Sequence, residues 1–207
     1  MTGTTAPSPT RLAARSRWRV IDIVIASVLG VASGVVFWAW GIAWSPLSAA
    51  LSFAPGLAGL LAGGWLFAAV LGGVVIRKPG AAVFTELVAA MVSALLGTQW
   101  GFETLIWGLV EGLGAEIVFA IFLYRVWNVG VAVLAGMGAG LAVGLLDTNF
   151  TTYAAMDGLF RGVYLVSAIL SGALLAGVLS WFAMRGLARA GALSRFAAGR
   201  EVSVGSA

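Results

Sequence analysis

Trp100, Glu103, Trp107 and Glu111 stand at i, i+3, i+7 and i+11 of one apolar stretch, the spacing that stacks side chains along a single face of an α-helix. Tryptophan faces attract cations and stack on flat heterocycles, while carboxylates accept amino hydrogens and balance positive charge. Such a stripe suits a cationic aromatic ligand. Glu116 follows on the same stretch, turned from Glu111 by about 140 degrees around the helix, so the two carboxylates do not address the same ligand group. Glu86 lies inside a neighbouring apolar run. A carboxylate in lipid costs on the order of 3 kcal/mol or more and faces a cavity or a partner, which makes Glu86, Glu111 and Glu116 candidates for substrate binding, with Trp107 beside them and Trp100 and Glu103 nearer the mouth. Plainer roles compete. Trp38, Trp40, Trp44 and Trp100 lie near helix ends, where indoles form an interfacial belt; Trp107 is divided between pocket and packing; and Glu86, a turn or two after Arg77-Lys78, has Arg125 or another inner cation as an alternative partner.

The chain has no cysteine and no histidine, which excludes disulfides, iron-sulfur clusters and thiolate zinc sites and removes the commonest general base and metal ligand. Its one lysine, Lys78, precedes Pro79 rather than Ser or Thr, so the phosphate-cradling GxxxxGK[ST] loop is absent and the chain is not its own ATPase. No spacing of Ser or carboxylates argues for a nucleophile with a base. The expectation is therefore a binding protein with no catalytic residues, no metal and no cofactor. A self-sufficient carrier, the alternative, would commonly show matched broken helices, and no clear pair of such segments emerges.

The elements that must position these residues are helices in a membrane. Of the 207 residues 61% are hydrophobic and 10% charged, against about 25% charged in soluble domains. At 1.5 Å per residue a hydrocarbon layer of about 30 Å takes about 20 apolar residues. Six apolar runs follow: Val20 to Trp44, Gly56 to Ile76, Ala81 to Gly97, Phe102 to Tyr124, Val129 to Leu146 and Leu159 to Met184. Ser45 to Pro55 and Asp147 to Gly158 read as outer loops. The fold expected is an all-α integral membrane protein, a compact bundle of six transmembrane helices over residues 18–187, with a disordered cytoplasmic tail at 1–17 and a second cytoplasmic tail at 188–207. Six spans place the arginines from Arg11 to Arg19, the Arg77-Lys78 pair, Arg125 and the four arginines after Met184 on one side, leaving only Arg161 near the other. By the positive-inside rule that side is cytoplasmic. The basic pI is then a topology signal, and nucleic acid is not an expected partner.

Small residues mark close helix contacts. Ala26, Gly30 and Gly34 form a ridge on the first helix, and Gly108 with Gly112 another on the fourth. The second is read as packing within the chain; the first is expected to dock a partner membrane protein.

Two stretches are distinctive: Arg77-Lys78-Pro79-Gly80-Ala81-Ala82 followed by Thr85-Glu86-Leu87, and Trp100-Gly101 followed by Glu111-Gly112-Leu113-Gly114-Ala115-Glu116. With six spans and inward termini, they resemble the YkoE-type substrate-binding subunits of energy-coupling factor transporters over residues 18–187. The resemblance implies capture of thiamine or its hydroxymethylpyrimidine precursor in the plasma membrane. It also implies a transmembrane coupling subunit, contacted by the first-helix ridge, and two cytoplasmic ATPases as partners. Vitamin and fragment present the same aminopyrimidine edge, so the choice between them, or another vitamin, stays open. The topology has a direct test in this cysteine-free chain: single cysteines at Ser8, Ser48 and Ser203 are expected to label from inside, outside and inside, and any other pattern removes the six-span arrangement.

Overall fold

The computed structural model describes residues 17–204; apart from Arg17, the tail expected at 1–17 lies outside them. Among the described residues the secondary structure is helical throughout. α1 spans Val20–Ala50; a 3-10 turn at Leu57–Leu61 leads into α2, Gly63–Ile76; α3 is Ala81–Leu95. A short 3-10 turn, Gly101–Glu103, precedes α4, Thr104–Ile121. α5 is Val129–Phe150. A further 3-10 turn, Thr152–Ala155, precedes α6, Gly158–Arg189, which carries a π-helical stretch at Gly172–Val178. The short α7 is Ala197–Val204.

α1 to α6 run alternately between two ends, a basic end at Arg77-Lys78 and a far end at Trp100. α2 is apolar all round and lies at the centre, with Leu66, Ala68, Ala69, Val70, Val74 and Val75 all sealed from solvent, as a helix without a polar face must be. Around it the outer helices expose Val, Ile and Leu along their outward faces, among them Val28, Ile117 and Leu174, the surface expected against lipid. Serine hydroxyls fasten α6 to the central layer: Ser171 donates to the Leu60 carbonyl at 2.5 Å and Ser180 to the Phe67 carbonyl at 3.0 Å.

Among the described residues five helical segments are long and apolar enough to cross a membrane, and α3, with 15 residues, is shorter. At 1.5 Å per residue α3 rises about 22 Å, below the thickness of the hydrocarbon core, so length alone does not give it the sixth span. The turns at its two ends set that length: Gly80 takes φ +84 before it and Gly97 φ +85 after it, left-handed conformations that glycine adopts without strain. α3 nevertheless runs alongside α1 in the same direction, with Trp18 at Pro79 near one end and Gln99 donating to the Gly41 carbonyl near the other.

Two expected loops begin as helix. α1 continues through Ser45 and Pro46 to Ala50, and the chain breaks only at the following turns, where Gly56 takes φ +84. α5 continues through Asp147 because its polar residues satisfy themselves on the helix. Thr148 donates to the Gly144 carbonyl at 2.6 Å, Asn149 to Leu145 at 2.8 Å and Thr151 to Asp147 at 2.7 Å, the i−4 back-bonding open to such side chains. At the other terminus α7 packs against the bundle. Phe196 and Ala198 are buried, and Glu201 pairs with Arg77 at 2.7 Å.

The ridge of Ala26, Gly30 and Gly34 corrects the docking expectation, because α3 of the same chain occupies it. Ala26 is fully buried. A Cβ placed on Gly30 would stand 2.7 Å from Val88 Cβ and 2.9 Å from the Thr85 carbonyl, and one on Gly34 would stand 2.6 Å from the Ala89 carbonyl. No partner helix fits where α3 already lies. Overpacking such a contact costs about 1–3 kcal/mol, so Gly30→Leu is expected to lower the unfolding midpoint of the isolated chain in detergent. A variant as stable as the parent that fails only to co-purify with partner subunits would return the ridge to the outside.

Candidate functional site

The basic end is built from carboxylates that are fully answered. Asp22 is buried in the first turn of α1, where the helix dipole favours negative charge. It accepts from the Arg19 amide at 2.7 Å, the Arg19 guanidinium at 2.9 Å and Lys78 Nζ at 2.5 Å. Lys78 also donates to the Arg17 carbonyl at 2.6 Å, and Trp18 Nε1 to the Pro79 carbonyl at 2.9 Å. Arg77 ends α2 in a left-handed conformation, φ 59 and ψ 38, a strain of order 1–3 kcal/mol for a residue with a side chain. Its guanidinium is held by the Val74 carbonyl at 3.1 Å, by Glu201 and over the Trp127 ring at 5.4 Å.

Glu116 belongs to this end. From α4 it accepts from the amides of Gly80 at 2.6 Å and Ala82 at 2.9 Å and from the Tyr124 hydroxyl at 2.7 Å, so it answers the unpaired N–H groups that open α3. Its position around α4 points it away from the face of Glu111, and it does not line the cavity described next.

At the far end a cavity of about 560 Å³ opens between all six long helices, within the range of small-molecule sites. Of the residues singled out in the sequence, Glu86, Trp100, Glu103, Trp107 and Glu111 line it. Glu103 is exposed at the mouth and Glu86 is fully buried. One Glu86 oxygen accepts from the Ala69 amide at 2.5 Å, while Oε1 has no hydrogen-bond partner among the described residues; Arg125 is not its partner. Glu111 is 5% exposed and Asp147 8%. Asp147 accepts from Trp107 Nε1 at 2.8 Å and from the Tyr164 hydroxyl at 2.6 Å.

The wall is aromatic. Trp65 of α2 meets Trp44 of α1 and Trp100, each at 5.4 Å between ring centroids, and Trp44 meets Trp100 at 6.2 Å. Edge-to-face and tilted packing of this kind fixes the rings beyond what burial alone does. Trp40 joins through Trp65 at 6.3 Å and donates to the Leu61 carbonyl at 3.0 Å. Of the four indoles read as a belt, Trp44 and Trp100 therefore line the cavity and Trp40 supports it. Trp38 borders a separate, smaller groove with Gly41 and Gln99. Thr152 and Tyr153 of the short Thr152–Ala155 turn also line the cavity, and Tyr153 packs on Tyr164 at 5.0 Å and on Phe160 at 5.2 Å. Among the described residues no lysine or arginine lines the cavity.

Asp147, Trp65 and Tyr164 were missed in the sequence. For Asp147 the signal was present: Ala132, Ala135, Gly136, Ala139, Gly140, Val143 and Gly144 form the buried face of α5, and continuing that helical period reaches Asp147. Trp65 lies in a helix apolar on every side, so no period marks it.

A family model described as the permease component of an ABC-type cobalt transport system matches residues 21–142. YkoE of Bacillus subtilis (strain 168), whose name describes an HMP/thiamine permease, is 36% identical over 188 residues, covering 89% of this chain and 92% of the relative. A crystal structure of an S-component of an ECF transporter superposes with a TM-score of 0.86 at 35% identity, covering 92% of this chain and 95% of the other.

Glu111 and Glu116 make a controlled pair, since they share a helix and differ in what they face. Glu116→Ala leaves the opening amides of α3 without their acceptor, an expected loss of about 1–3 kcal/mol seen as a lower thermal midpoint, with ligand affinity retained when measured below that midpoint. Loss of affinity at unchanged stability would move Glu116 into the site.

Proposed function

The chain belongs to the YkoE-type substrate-binding subunits, or S-components, of energy-coupling factor transporters, and on that premise we propose that it captures thiamine or its hydroxymethylpyrimidine precursor in the far-end cavity. It is a non-catalytic transport subunit. The observation that carries the substrate reading is the cavity itself: an indole wall of Trp44, Trp65, Trp100 and Trp107 over Glu86, Glu111 and Asp147, with no basic residue among its lining. Indole faces suit a flat, cationic thiazolium, and carboxylate oxygens suit the amino hydrogens of a pyrimidine. A metal ion as cargo fits the donors less well. The chain has no histidine or cysteine, and among the described residues no three acidic groups converge as a metal ion would require.

In this reading α3 completes six spans, both termini are cytoplasmic, and the cavity opens outward. The charge distribution supports it: among the described residues Arg19, Arg77, Lys78, Arg125, Arg185 and Arg189 flank the basic end, and Arg161 lies at the far end, the asymmetry of the positive-inside rule. A coupling subunit and two ATPases drive release. Since α3 fills the Ala26, Gly30 and Gly34 ridge, the coupling subunit meets another face.

Titration calorimetry on the purified chain tests the substrate. Loss of a desolvated charge partner costs about 2–5 kcal/mol, so Glu111→Gln is expected to weaken thiamine tens-fold or more and the neutral pyrimidine less. Trp107→Ala, which also strips a donor from Asp147, is expected to weaken both. Unchanged affinity across all these combinations would take the ligand out of this cavity.

A further inference from the structure

We propose that Glu86 and Glu111 together hold a single proton while the cavity is empty and release it when a permanently cationic ligand enters, so that the site exchanges a proton for its cation. The proposal rests on the reading of the cavity given above. Glu86 is fully buried, and its Oε1 has neither a hydrogen-bond partner among the described residues nor solvent. Its stem packs on α4 where Gly108 and Gly112 bracket Glu111: a Cβ on Gly112 would lie 3.3 Å from Glu86 Cβ, and one on Gly108 3.9 Å from Glu86 Cγ. Both carboxyl side chains line the same cavity.

The groups facing the pair bring no positive charge. α1 contributes Phe37 and Trp44, and α2 the Ala69 amide and Trp65. The turn before α4 adds Glu103 at the mouth, α5 adds Asp147, α6 adds Tyr164, and the turn before α6 adds Tyr153. Asp147 accepts from the Trp107 and Tyr164 donors. Two adjacent carboxylates in such a place, beside a third, cannot both ionise cheaply. One proton shared between them leaves the pair with a single negative charge. When a thiazolium enters, the O–H bond of the acid breaks, its electron pair stays on the carboxylate as counterion, and the proton leaves to water through the open end. The pair then carries two negative charges against one positive charge on the ligand, so the net charge of the low-dielectric cavity is the same before and after binding. A neutral pyrimidine gives no reason for the proton to leave.

The test is titration calorimetry on the full chain near neutral pH in buffers of different ionisation enthalpy. Thiamine is expected to release about one proton per molecule and to lose affinity, approaching tenfold per pH unit, on acidification; hydroxymethylpyrimidine is expected to release about none. No release with thiamine, or equal release with both ligands, overturns the proposal. A second measurement needs no ligand: the empty protein should show the infrared carbonyl stretch of a protonated carboxylic acid, shifted by deuterium exchange and lost in Glu86→Gln or, should that variant not fold, in Glu111→Gln. Absence of the band in the parent protein overturns the proposal. If neither ligand binds, the substrate reading fails by itself, and the band still decides for or against the shared proton.

Discussion

A carboxylate inside an apolar bundle must be answered by donors or cations, because no water is at hand to solvate it. How each acidic side chain of this protein is answered sets the architecture. Asp22 has two cations and a backbone amide; Glu116 has two close amides and a phenol; Asp147 has an indole and a phenol. Glu86 has one amide for two oxygens. The fully answered groups at the basic end hold helices together. The incompletely answered one lies at the bottom of the cavity.

The Arg77-Lys78-Pro79-Gly80 turn is where this constraint becomes geometry. Lys78 reaches Asp22 of α1, the Gly80 and Ala82 amides reach Glu116 of α4, and Arg77 reaches Trp127 and Glu201. One four-residue turn thus sets the depth of α1, α3, α4 and α7 relative to α2. Fixing Glu116 on the start of α3 also fixes the rotation of α4, and the opposite side of that helix then presents Trp107 and Glu111 to the cavity. Clamp and site are two faces of one helix, separated by about 140 degrees.

Much of this was legible in the sequence because the membrane imposes a simple rule: apolar runs are helices, and the few polar residues inside them have work to do. The stripe from Trp100 to Glu111 followed from helical period alone. The role of Glu116 did not, since its partners are backbone amides thirty-odd residues away, and the amide of a glycine leaves no mark in a side-chain pattern. The ridge of Gly30 and Gly34 signalled close approach correctly but could not say to what; a small-residue face reads the same whether α3 or another protein fills it. Asp147 reads as part of a loop because Asp, Thr and Asn cluster there, yet those residues satisfy their own helix through i−4 bonds and lengthen α5.

Under the proposed reading, sign of charge discriminates among ligands before shape does. With acceptors and no cation in the lining, a negative group carried to the floor would meet like charges. At an effective dielectric of about 20, each contact near 4 Å costs about 4 kcal/mol, on the order of a thousandfold in affinity. A neutral heterocycle escapes that penalty and keeps stacking and hydrogen bonds; a cation gains the Coulomb term as well, less whatever it takes to expel a proton. Stacking on the Trp44, Trp65 and Trp100 wall is nearly indifferent to which heterocycle is present, because any flat ring offers a face. Specificity for one ring over another must then come from hydrogen bonds on the floor, where an unmatched acceptor is left buried at a cost of about 1–3 kcal/mol. Glu86 Oε1 is already such an acceptor in the empty cavity, and a ligand that brings it an N–H gains what a ligand without one cannot.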